Sequence, residues 1–400
     1  MKSNDSTSKT QDGLFKLGYV ANLRNGAYIK ELQDLLNGTE EEPTSQEIRE
    51  RVNNAEILYL NWNGYQKDSE GNNISEEAAV FRAFDSGYKT TSGKSIFGWF
   101  EKNKDTGTYM GVSWGTLEQL QASRYLKTKF HMGDFYFENK DACEAFLDKI
   151  ATNTIPESWA FNNKQSEINH PILKSYLENI FIKLEREGKI LRSANGKYIL
   201  FNTNLLNRFF KPLYIIAEVK NFGGLEVYVN PIHTSPKSIN DLIIHGFKGM
   251  NPEPPVFFSD VDEVIFNTSW DIDTNDNSLT HIIDKRIERF PQQYRGMSSY
   301  ELAKKIDDAI GSAIAIAQRN YKYIVPIYYP RFDSISFLMP IFLNGLYSES
   351  PDFALVLQTD REHKIYIART ILDIESGYQD ARLIAKPDES WFNLAKLVKK

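Results

Sequence analysis

The sequence predicts an α+β protein, with a mixed N-terminal domain followed by a larger α+β domain that has a mainly antiparallel sheet. The strongest observation is a series of apolar segments in the last third of the chain, which read as strands and are joined by short connections. We assign these strands to Tyr323–Tyr329, Ser334–Leu343, Phe353–Thr359 and Lys364–Ile371. Because short connections join antiparallel neighbours, the strands should form one antiparallel sheet.

The second observation is a set of segments with helical spacing and recognisable ends. Asn139–Ile150 and Pro171–Glu187 predict helices, and the second has proline in its first turn and a glycine just after its end. Tyr300–Gln318 predicts an amphipathic helix. Between them, Lys189–Arg192 and Tyr198–Phe201 flank an Asn-Gly pair that suits a hairpin turn. Such a hairpin could end a winged helix or pack within a larger sheet, and both alternatives stay open.

Length and composition set the predicted domain organisation. The chain has 400 residues, of which 41% are hydrophobic and 25% charged, as in soluble proteins with large cores. Residues 1–12 are polar and predict a disordered tail. Residues 13–125 predict a mixed α/β domain, although 76–114 show no clear periodicity, and residues 126–400 predict the larger α+β domain.

Charge and cysteine content narrow the classes of function. The net charge of −6 argues against a protein that coats duplex nucleic acid, which needs a surplus of Lys and Arg on one face. The single cysteine, Cys143, excludes an intramolecular disulfide and favours a reducing compartment. No apolar run is long enough to span a membrane. We therefore expect a cytoplasmic protein without a membrane partner.

Two short motifs suggest chemistry in the N-terminal domain. Gly111–Gly115 matches the nucleophile-elbow pattern and makes Ser113 a candidate catalytic residue, with a loop between two elements as the alternative. Thr90–Ser95 resembles the end of a phosphate-binding loop. Tyr88 occupies the position where that loop requires glycine, so we interpret the match as chance.

A third motif is acidic. Asp271–Asn275 has the opening spacing of a calcium loop, but Asp276 and Ile282 occupy the positions that need glycine and glutamate. A solvated acidic loop therefore explains the motif better. A weak Mg²⁺ or Ca²⁺ site stays open as an alternative. Its candidate ligands are Asp260, Asp262, Asp271 and Asp273.

Cationic residues form the strongest constellation in the sequence. His281, Arg286 and Arg289 have spacings that would place them on one helix face. Arginine suits bidentate capture of phosphate, and tyrosines can stack on a base. Alternatively, each arginine could pair with a carboxylate inside the fold. The remaining members of the constellation are Arg319, Lys322, Arg369 and Arg382, with Tyr321, Tyr328, Tyr329 and Tyr378 beside them.

Three motifs in the C-terminal domain carry a family resemblance. They are Asn202-Thr203-Asn204-Leu205, then Asn320-Tyr321-Lys322 with Val325-Pro326-Ile327-Tyr328-Tyr329, and finally Gly377-Tyr378-Gln379-Asp380-Ala381-Arg382-Leu383-Ile384. Over about residues 139–398 the chain resembles the bacterial family DUF3825. The pattern of that family has Asn-Thr-Gly-Leu, Asn-Tyr-Lys before Val-Pro-Gln-Tyr-Tyr, and Ala-Tyr-Asn-Asn-Ala-Arg-Leu-Ile.

The chain departs from this family pattern at two positions, and these departures affect which features of the family can be expected in this chain. Asn204 stands where the family has a glycine, and asparagine is the best substitute at a left-handed backbone position. Ile327 stands where the family has glutamine, so a hydrogen bond made by that glutamine is absent. The family has no established activity. Its relatives are often joined to RNA-binding modules such as OST-HTH or cold-shock domains, which implies an RNA or nucleotide setting.

We therefore predict a protein that binds a nucleotide or RNA in a bacterial RNA-processing or defence-type system. The ligand phosphate would be held by Arg and Lys side chains in one cleft. The candidate ligand-binding residues are Asn202, Thr203, Arg286, Asn320, Tyr321, Lys322, Tyr378 and Arg382.

Two other functions stay open. The first is an enzyme, either a metal-assisted phosphodiesterase or nuclease that uses His281 with Mg²⁺ and the carboxylates of 260–276, or a hydrolase that uses Ser113. The second is a protein-interaction module without catalysis, with a protein partner bound through the N-terminal domain.

Overall fold

The computed structural model of the chain describes residues 14, 17–18, 27–36, 42–161, 166–222, 225–235, 239–330, 332–345 and 350–387. The predicted tail over residues 1–12 lies outside the described residues. The chain divides into two compact units, one of Met1–Phe130 with Lys220–Val227 and one of His131–Val219 with Tyr228–Lys400. Within the described part of the chain, no helix has both the length and the apolar character needed to cross a membrane.

The first unit is built on a four-stranded antiparallel sheet in the order β1-β2-β3-β4. Its strands are β1 (Leu58–Leu60), β2 (Phe81–Lys89), β3 (Ser95–Lys102) and β4 (Tyr109–Gly115). Its helices are α1 (Ala27–Leu35), α2 (Ser45–Asn54) and α3 (Leu117–Leu126). Capping boxes at Thr44 and Thr116 begin α2 and α3. Apolar side chains of α1 and α2, including Leu32 and Ile48, pack with Phe84 of the sheet in one core.

The strands β2, β3 and β4 fill the region in which the sequence showed no clear periodicity. A tight turn joins β2 to β3, with Gly93 at a φ of 81°, so the segment that resembles a phosphate-binding loop is a hairpin turn. Irregular pairing after Asp85 and after Trp99 breaks the strict alternation that a sequence pattern relies on.

A six-stranded sheet in the order β5-β6-β10-β9-β8-β7 lies in the second unit, except for Phe130 and the strand residues of Lys220–Val227, which are assigned to the first. Its strands are β5 (Phe130–Met132), β6 (Phe135–Phe137), β7 (Leu191–Arg192), β8 (Tyr198–Leu206), β9 (Pro212–Phe222) and β10 (Leu225–Thr234). The helices between and after these strands are α4 (Lys140–Asn153), α5 (Pro171–Arg186) and α6 (Ile239–Ile244). The predicted hairpin is thus part of a larger sheet, which was the second of the two alternatives.

An aromatic cluster joins α5 to this sheet. Phe181 of α5 contacts Phe135, Phe201 and Tyr228, with ring centroids 4.8–5.2 Å apart in edge-to-face arrangements. All four side chains are buried. Their packing fixes the helix on the sheet.

The second unit also contains a five-stranded sheet in the order β11-β15-β14-β13-β12. Its strands are β11 (Asp271–Asp273), β12 (Val325–Tyr329), β13 (Ser334–Ile341), β14 (Phe353–Asp360) and β15 (Ile365–Leu372). The helices that accompany it are α7 (Asp276–Ile283), α8 (Ser299–Ala317) and α9 (Ile374–Arg382). The last four strands pair antiparallel, as predicted, whereas β11 pairs parallel to β15. The α+β fold class is therefore confirmed. Pro326 lies in the edge strand β12, where a missing N–H is tolerated.

The backbone at Asn204 has the left-handed conformation that the family pattern suggested. Its φ is 59°, and the pairing of β8 with β9 is irregular between Asn202 and Leu205. The Asn202 side chain accepts a hydrogen bond from the Asn204 N–H at 2.9 Å, which holds this bulge in place.

Asn204→Ala is expected to lower the free energy of unfolding by about 1 kcal/mol, since alanine carries a Cβ without the local hydrogen bonding that favours asparagine there. Asn204→Gly is expected to change it by only a few tenths of a kcal/mol. Urea unfolding of both variants is the measurement. Equal losses for alanine and glycine would show that the backbone conformation is not what selects asparagine.

Candidate ligand-binding site

Arg382 ends α9 in a buried, bidentate ion pair. Its Nε and Nη2 donate to the two carboxylate oxygens of Glu157 at 2.5 and 2.8 Å. The side chains are only 12% and 8% exposed, respectively. Burial opposes the charge on Arg382, but the hydrogen bonds and charge of Glu157, together with Tyr176 and Tyr378, outweigh it, so the pKa of Arg382 is raised. Glu157 thus occupies the fork that the sequence suggested for a phosphate.

Aromatic rings surround this ion pair. The guanidinium carbon of Arg382 lies 4.9 Å from the ring centroid of Trp159 and 4.9 Å from that of Tyr176. Burial raises the pKa of Tyr176 to about 12 and that of Tyr378 to about 12. The structure therefore brings two of the candidate residues, Tyr378 and Arg382, together around Glu157. This arrangement is typical of a buried structural arginine.

Asn202 and Thr203 shape the β8 bulge. The Asn202 amide donates to the backbone oxygen of Pro252 at 3.1 Å, and the Thr203 hydroxyl donates to the backbone oxygen of Leu213 at 2.7 Å. Both candidate residues are buried. Their polar atoms hold backbone segments together, which explains the first family motif in terms of folding.

The second family motif forms the turn between α8 and β12. The side-chain oxygen of Asn320 accepts a hydrogen bond from the Lys322 N–H at 3.1 Å, as in an Asx turn. Tyr321 is 65% exposed and lies at the surface of this turn. None of the contacts described for Asn320 or Lys322 involves Asn202 or Arg382, so the single cleft shared by these residues stays a prediction.

At the other end of β12, Tyr328 belongs to a network of hydrogen bonds and an ion pair. The residues of this network are not among the candidate ligand-binding residues. The Tyr328 hydroxyl donates to Asp333 at 2.6 Å and accepts from Arg186 at 3.2 Å, while Lys183 contacts Asp333 at 2.9 Å. Burial raises the pKa of Tyr328. Lys183 and Arg186 lie on α5, about 150 residues earlier in the chain, so no local pattern could reveal this network.

The predicted common helix face of His281, Arg286 and Arg289 is wrong. His281 lies in the last turn of α7, which ends at Ile283, and the two arginines follow it in and before a short 3-10 turn. Arg289 donates to the backbone oxygen of Ile371 in β15. This bond holds Arg289 against the strand, beyond the end of α7 at Ile283.

The candidate catalytic serine lies within a strand. Ser113 pairs with Trp99 in the antiparallel ladder of β3 and β4, and three residues, Trp114 to Thr116, separate it from α3. A nucleophile elbow places its serine at the strand-to-helix turn, and this geometry is not present at Ser113. All six histidines belong to the second compact unit.

The four candidate metal ligands have local structural roles or face solvent. Asp260 caps a 3-10 turn, accepting from the Asp262 N–H at 2.9 Å, and Asp273 accepts from the Asn275 amide at 2.8 Å. In the described ranges, no group of three or more His, Cys, Asp or Glu residues is arranged to hold a metal ion. Asp271 begins β11.

A cleft of about 490 Å³ lies beside the five-stranded sheet. Four aromatic residues belong to its lining: Trp270, which is half-buried, and Phe266, Phe337 and Tyr366, which are buried. Phe266 stacks on Tyr366 at 4.4 Å, and Trp270 lies 5.3 Å from Tyr366. The Tyr366 hydroxyl accepts from the Asn267 N–H at 2.8 Å, which ties the segment that forms one wall to β15.

Polar groups complete the lining of this cleft. The hydroxyl oxygen of Thr359 is buried and has no hydrogen-bond partner among the described residues. Arg361 and Asp262 are exposed residues of the lining and carry opposite charges. Glu263 also lines the cleft, but its carboxylate accepts bonds from the N–H groups of Ser259 and Asp260. The sequence indicated Asp262 as a candidate metal ligand. It did not indicate the aromatic residues of the cleft, because Phe266 and Trp270 lie in an irregular segment.

The fold and the cleft define the class of protein: a two-unit α+β protein in which the second unit carries an aromatic cleft of small-molecule size. Residues 150–391, more than half of the chain, match the family described as "Domain of unknown function (DUF3825)". The chain therefore belongs to the DUF3825 family, as its three motifs predicted. No curated protein and no solved structure matches the chain.

Proposed function

We propose that the second unit binds a nucleotide, free or at the end of an RNA, in the aromatic cleft beside the five-stranded sheet. The volume of about 490 Å³ falls in the range of small-molecule pockets. The observation that carries the proposal is the combination of aromatic walls with a buried, unpaired hydroxyl at Thr359. A buried hydroxyl without a partner costs about 1–3 kcal/mol, and a ligand atom that bonds to it would recover part of this cost.

Each class of lining group suits one part of a nucleotide. A base is flat and apolar on its faces, and Trp270, the half-buried ring of the lining, can pack against it, backed by the buried rings of Phe266 and Tyr366. The Asp262 carboxylate can accept from base N–H groups, while the Arg361 guanidinium can hold phosphate in a bidentate bond. Because Glu263 is already bonded to backbone N–H groups, it opposes an anionic ligand less than an unpaired carboxylate would.

This proposal keeps the predicted ligand class and changes the binding residues. Asn202, Thr203 and Arg382 have bonds within the fold, so we assign them to the framework of the unit. We also retain the cytoplasm as the setting. The buried Cys143 thiol, whose pKa burial raises to about 12, is suited to a compartment where cysteines stay reduced.

Arg361→Ala is expected to weaken binding of a nucleoside monophosphate about tenfold or more, because it removes a charge-assisted bond worth about 1.5–3 kcal/mol. The same substitution should leave binding of the matching nucleoside, which has no phosphate, unchanged. Thr359→Val is expected to weaken both ligands about threefold, since it removes a hydroxyl of nearly the same shape. Calorimetric titration of the full chain measures all of these affinities.

Lys322→Ala serves as the matched control, because Lys322 is the cation that the sequence placed in the ligand site. It should leave every affinity unchanged. A loss on Lys322→Ala with none on Arg361→Ala would move the site to the α8–β12 turn. The cleft proposal fails if no nucleotide binds saturably, or if Arg361→Ala affects nucleoside and nucleotide equally.

A further inference from the structure

The turn between β8 and β9 exposes two adjacent phenylalanines. Phe209 is 58% exposed and Phe210 is 73% exposed. Arg208 and Lys211 flank them and are also exposed. Two exposed apolar residues, Ile155 and Leu206, lie at the base of the turn, where the Ile155 N–H donates to the Leu206 oxygen at 3.0 Å.

Hydrogen bonds make this turn well defined. The Phe210 N–H donates to the Asn207 oxygen at 2.8 Å, and the Asn207 N–H donates to the Lys211 oxygen at 2.8 Å. The Asn207 side chain accepts from the Phe209 and Lys211 N–H groups at 2.9 and 3.0 Å. These bonds are those of a three-residue hairpin loop whose last residue takes a left-handed conformation.

Phe210 occupies that left-handed position, with a φ of 59°. Glycine is the residue that suits it, because a Cβ is unfavourable there and a bulky side chain is a clear outlier. The other non-glycine residues with positive φ among the described residues are asparagine, aspartate and lysine. Burial does not explain the aromatic ring, since most of it faces solvent. Strain at an exposed aromatic position is a reason to look for a binding role.

We infer that this aromatic tip, defined as residues 207–211, docks single-stranded nucleic acid. Unpaired bases would stack on Phe209 and Phe210, and Arg208 and Lys211 would contact the neighbouring phosphates. The guanidinium carbon of Arg208 already lies 4.9 Å from the ring centroid of Phe209, so cation and ring present one joint surface.

The charges and the small size of the tip favour this partner. Cations on both sides of the rings favour an anionic partner, and a chain of stacked bases offers phosphates on either side of each base. Stable binding to a membrane surface needs a larger apolar face or a cluster of several basic residues. The tip has two aromatic and two basic residues. The tip needs consecutive bases, whereas the cleft takes one nucleotide, so the two proposals stand independently.

Phe210→Gly gives a test in which stability and binding move in opposite directions. It is expected to raise the melting temperature by about 2 °C, because it relieves the left-handed strain. It should also weaken binding of a fluorescent single-stranded RNA of about ten nucleotides roughly tenfold, through the loss of one stacking partner. Fluorescence anisotropy and thermal unfolding of the full chain measure the two effects.

Tyr300→Ala is the matched control, because Tyr300 is 79% exposed on α8 and lies outside the tip. It should leave RNA affinity unchanged. The double variant Arg208→Ala with Lys211→Ala should reduce the slope of log affinity against log salt by about 1.4, or about 0.7 for each lost phosphate contact. Single-stranded DNA of the same length shows whether the tip distinguishes the two sugars.

Several results would overturn the inference. These are equal affinity of Phe210→Gly and the parent chain for RNA, equal binding of duplex and single strand, or binding of phosphatidylserine vesicles in place of RNA. Mononucleotide titration of Phe210→Gly keeps the two proposals apart. Unchanged mononucleotide binding with weakened RNA binding supports the tip, and equal loss of both overturns it, because the RNA would then depend on the same site as the mononucleotide.

Discussion

Replacing Arg382 by alanine is expected to lower the free energy of unfolding by about 3–5 kcal/mol, because the Glu157 carboxylate would stay buried without its partner. Both oxygens of Glu157 bond to this one guanidinium, and Trp159 and Tyr176 cover it. Arg382→Lys should recover only part of the loss, since a point charge cannot reproduce the bidentate fork. Urea unfolding followed by circular dichroism measures the change.

Two further variants show whether burial causes this loss. Combining Arg382→Met with Glu157→Leu should restore much of the stability, because it removes both buried charges. Lys94→Ala removes the partner of Glu118 in an exposed pair with a contact of 3.3 Å, and it should cost about 1 kcal/mol or less. If Arg382→Ala leaves unfolding unchanged and abolishes nucleotide binding, Arg382 is a ligand residue, as its sequence motif suggested.

Asp380→Asn is expected to raise the free energy of unfolding by about 2–4 kcal/mol at about pH 8, and to leave it nearly unchanged at about pH 4. Burial, together with the charge of Asp373, raises the pKa of Asp380 to about 7 from its ordinary value of 3.8. Between these two pKa values the folded chain keeps a proton that the unfolded chain has lost. Stability therefore falls as pH rises through this interval, and an amide removes the effect.

The family pattern has asparagine at this position, so the variant also restores the residue typical of DUF3825. Asp308→Asn on α8 is the control, because Asp308 is exposed, and it should change stability little at either pH. Denaturant unfolding at both pH values is the measurement. An equal gain at low and high pH would show that packing of the amide, and not loss of a buried charge, stabilises the variant.

The elements that sequence predicted well are those with strong local signals. The helix predicted over Pro171–Glu187 is observed over Pro171–Arg186, and the last four strands lie within a few residues of their predicted bounds. In each of these elements, the apolar residues and the residues that mark its ends lie within one short stretch of sequence. The strands β2 and β3 were missed because irregular pairing interrupts their alternation. The predicted helix face shared by His281 and the two arginines was wrong, because α7 ends at Ile283, before either arginine.

The candidate site was less predictable than the fold. Tyr378 and Arg382 do lie together, but their partner Glu157 precedes Arg382 by 225 residues. No spacing rule connects such positions, and one arginine looks the same in sequence whether it faces a phosphate or a carboxylate. The aromatic cleft was missed for a similar reason. Its walls come from an irregular segment and from strands that lie far apart in the chain.

The short edges of the five-stranded sheet limit how this protein can associate with other chains. Among the described strands, β11 ends the sheet on one side with three residues, and β12 ends it on the other with Pro326, which has no N–H to offer. Foreign strands extend a sheet by bonding to a long row of free backbone groups at its edge. Because neither edge offers such a row, we expect this sheet to resist edge-to-edge growth into aggregates when the chain is concentrated, and we expect partners to contact its side chains rather than its edge backbone.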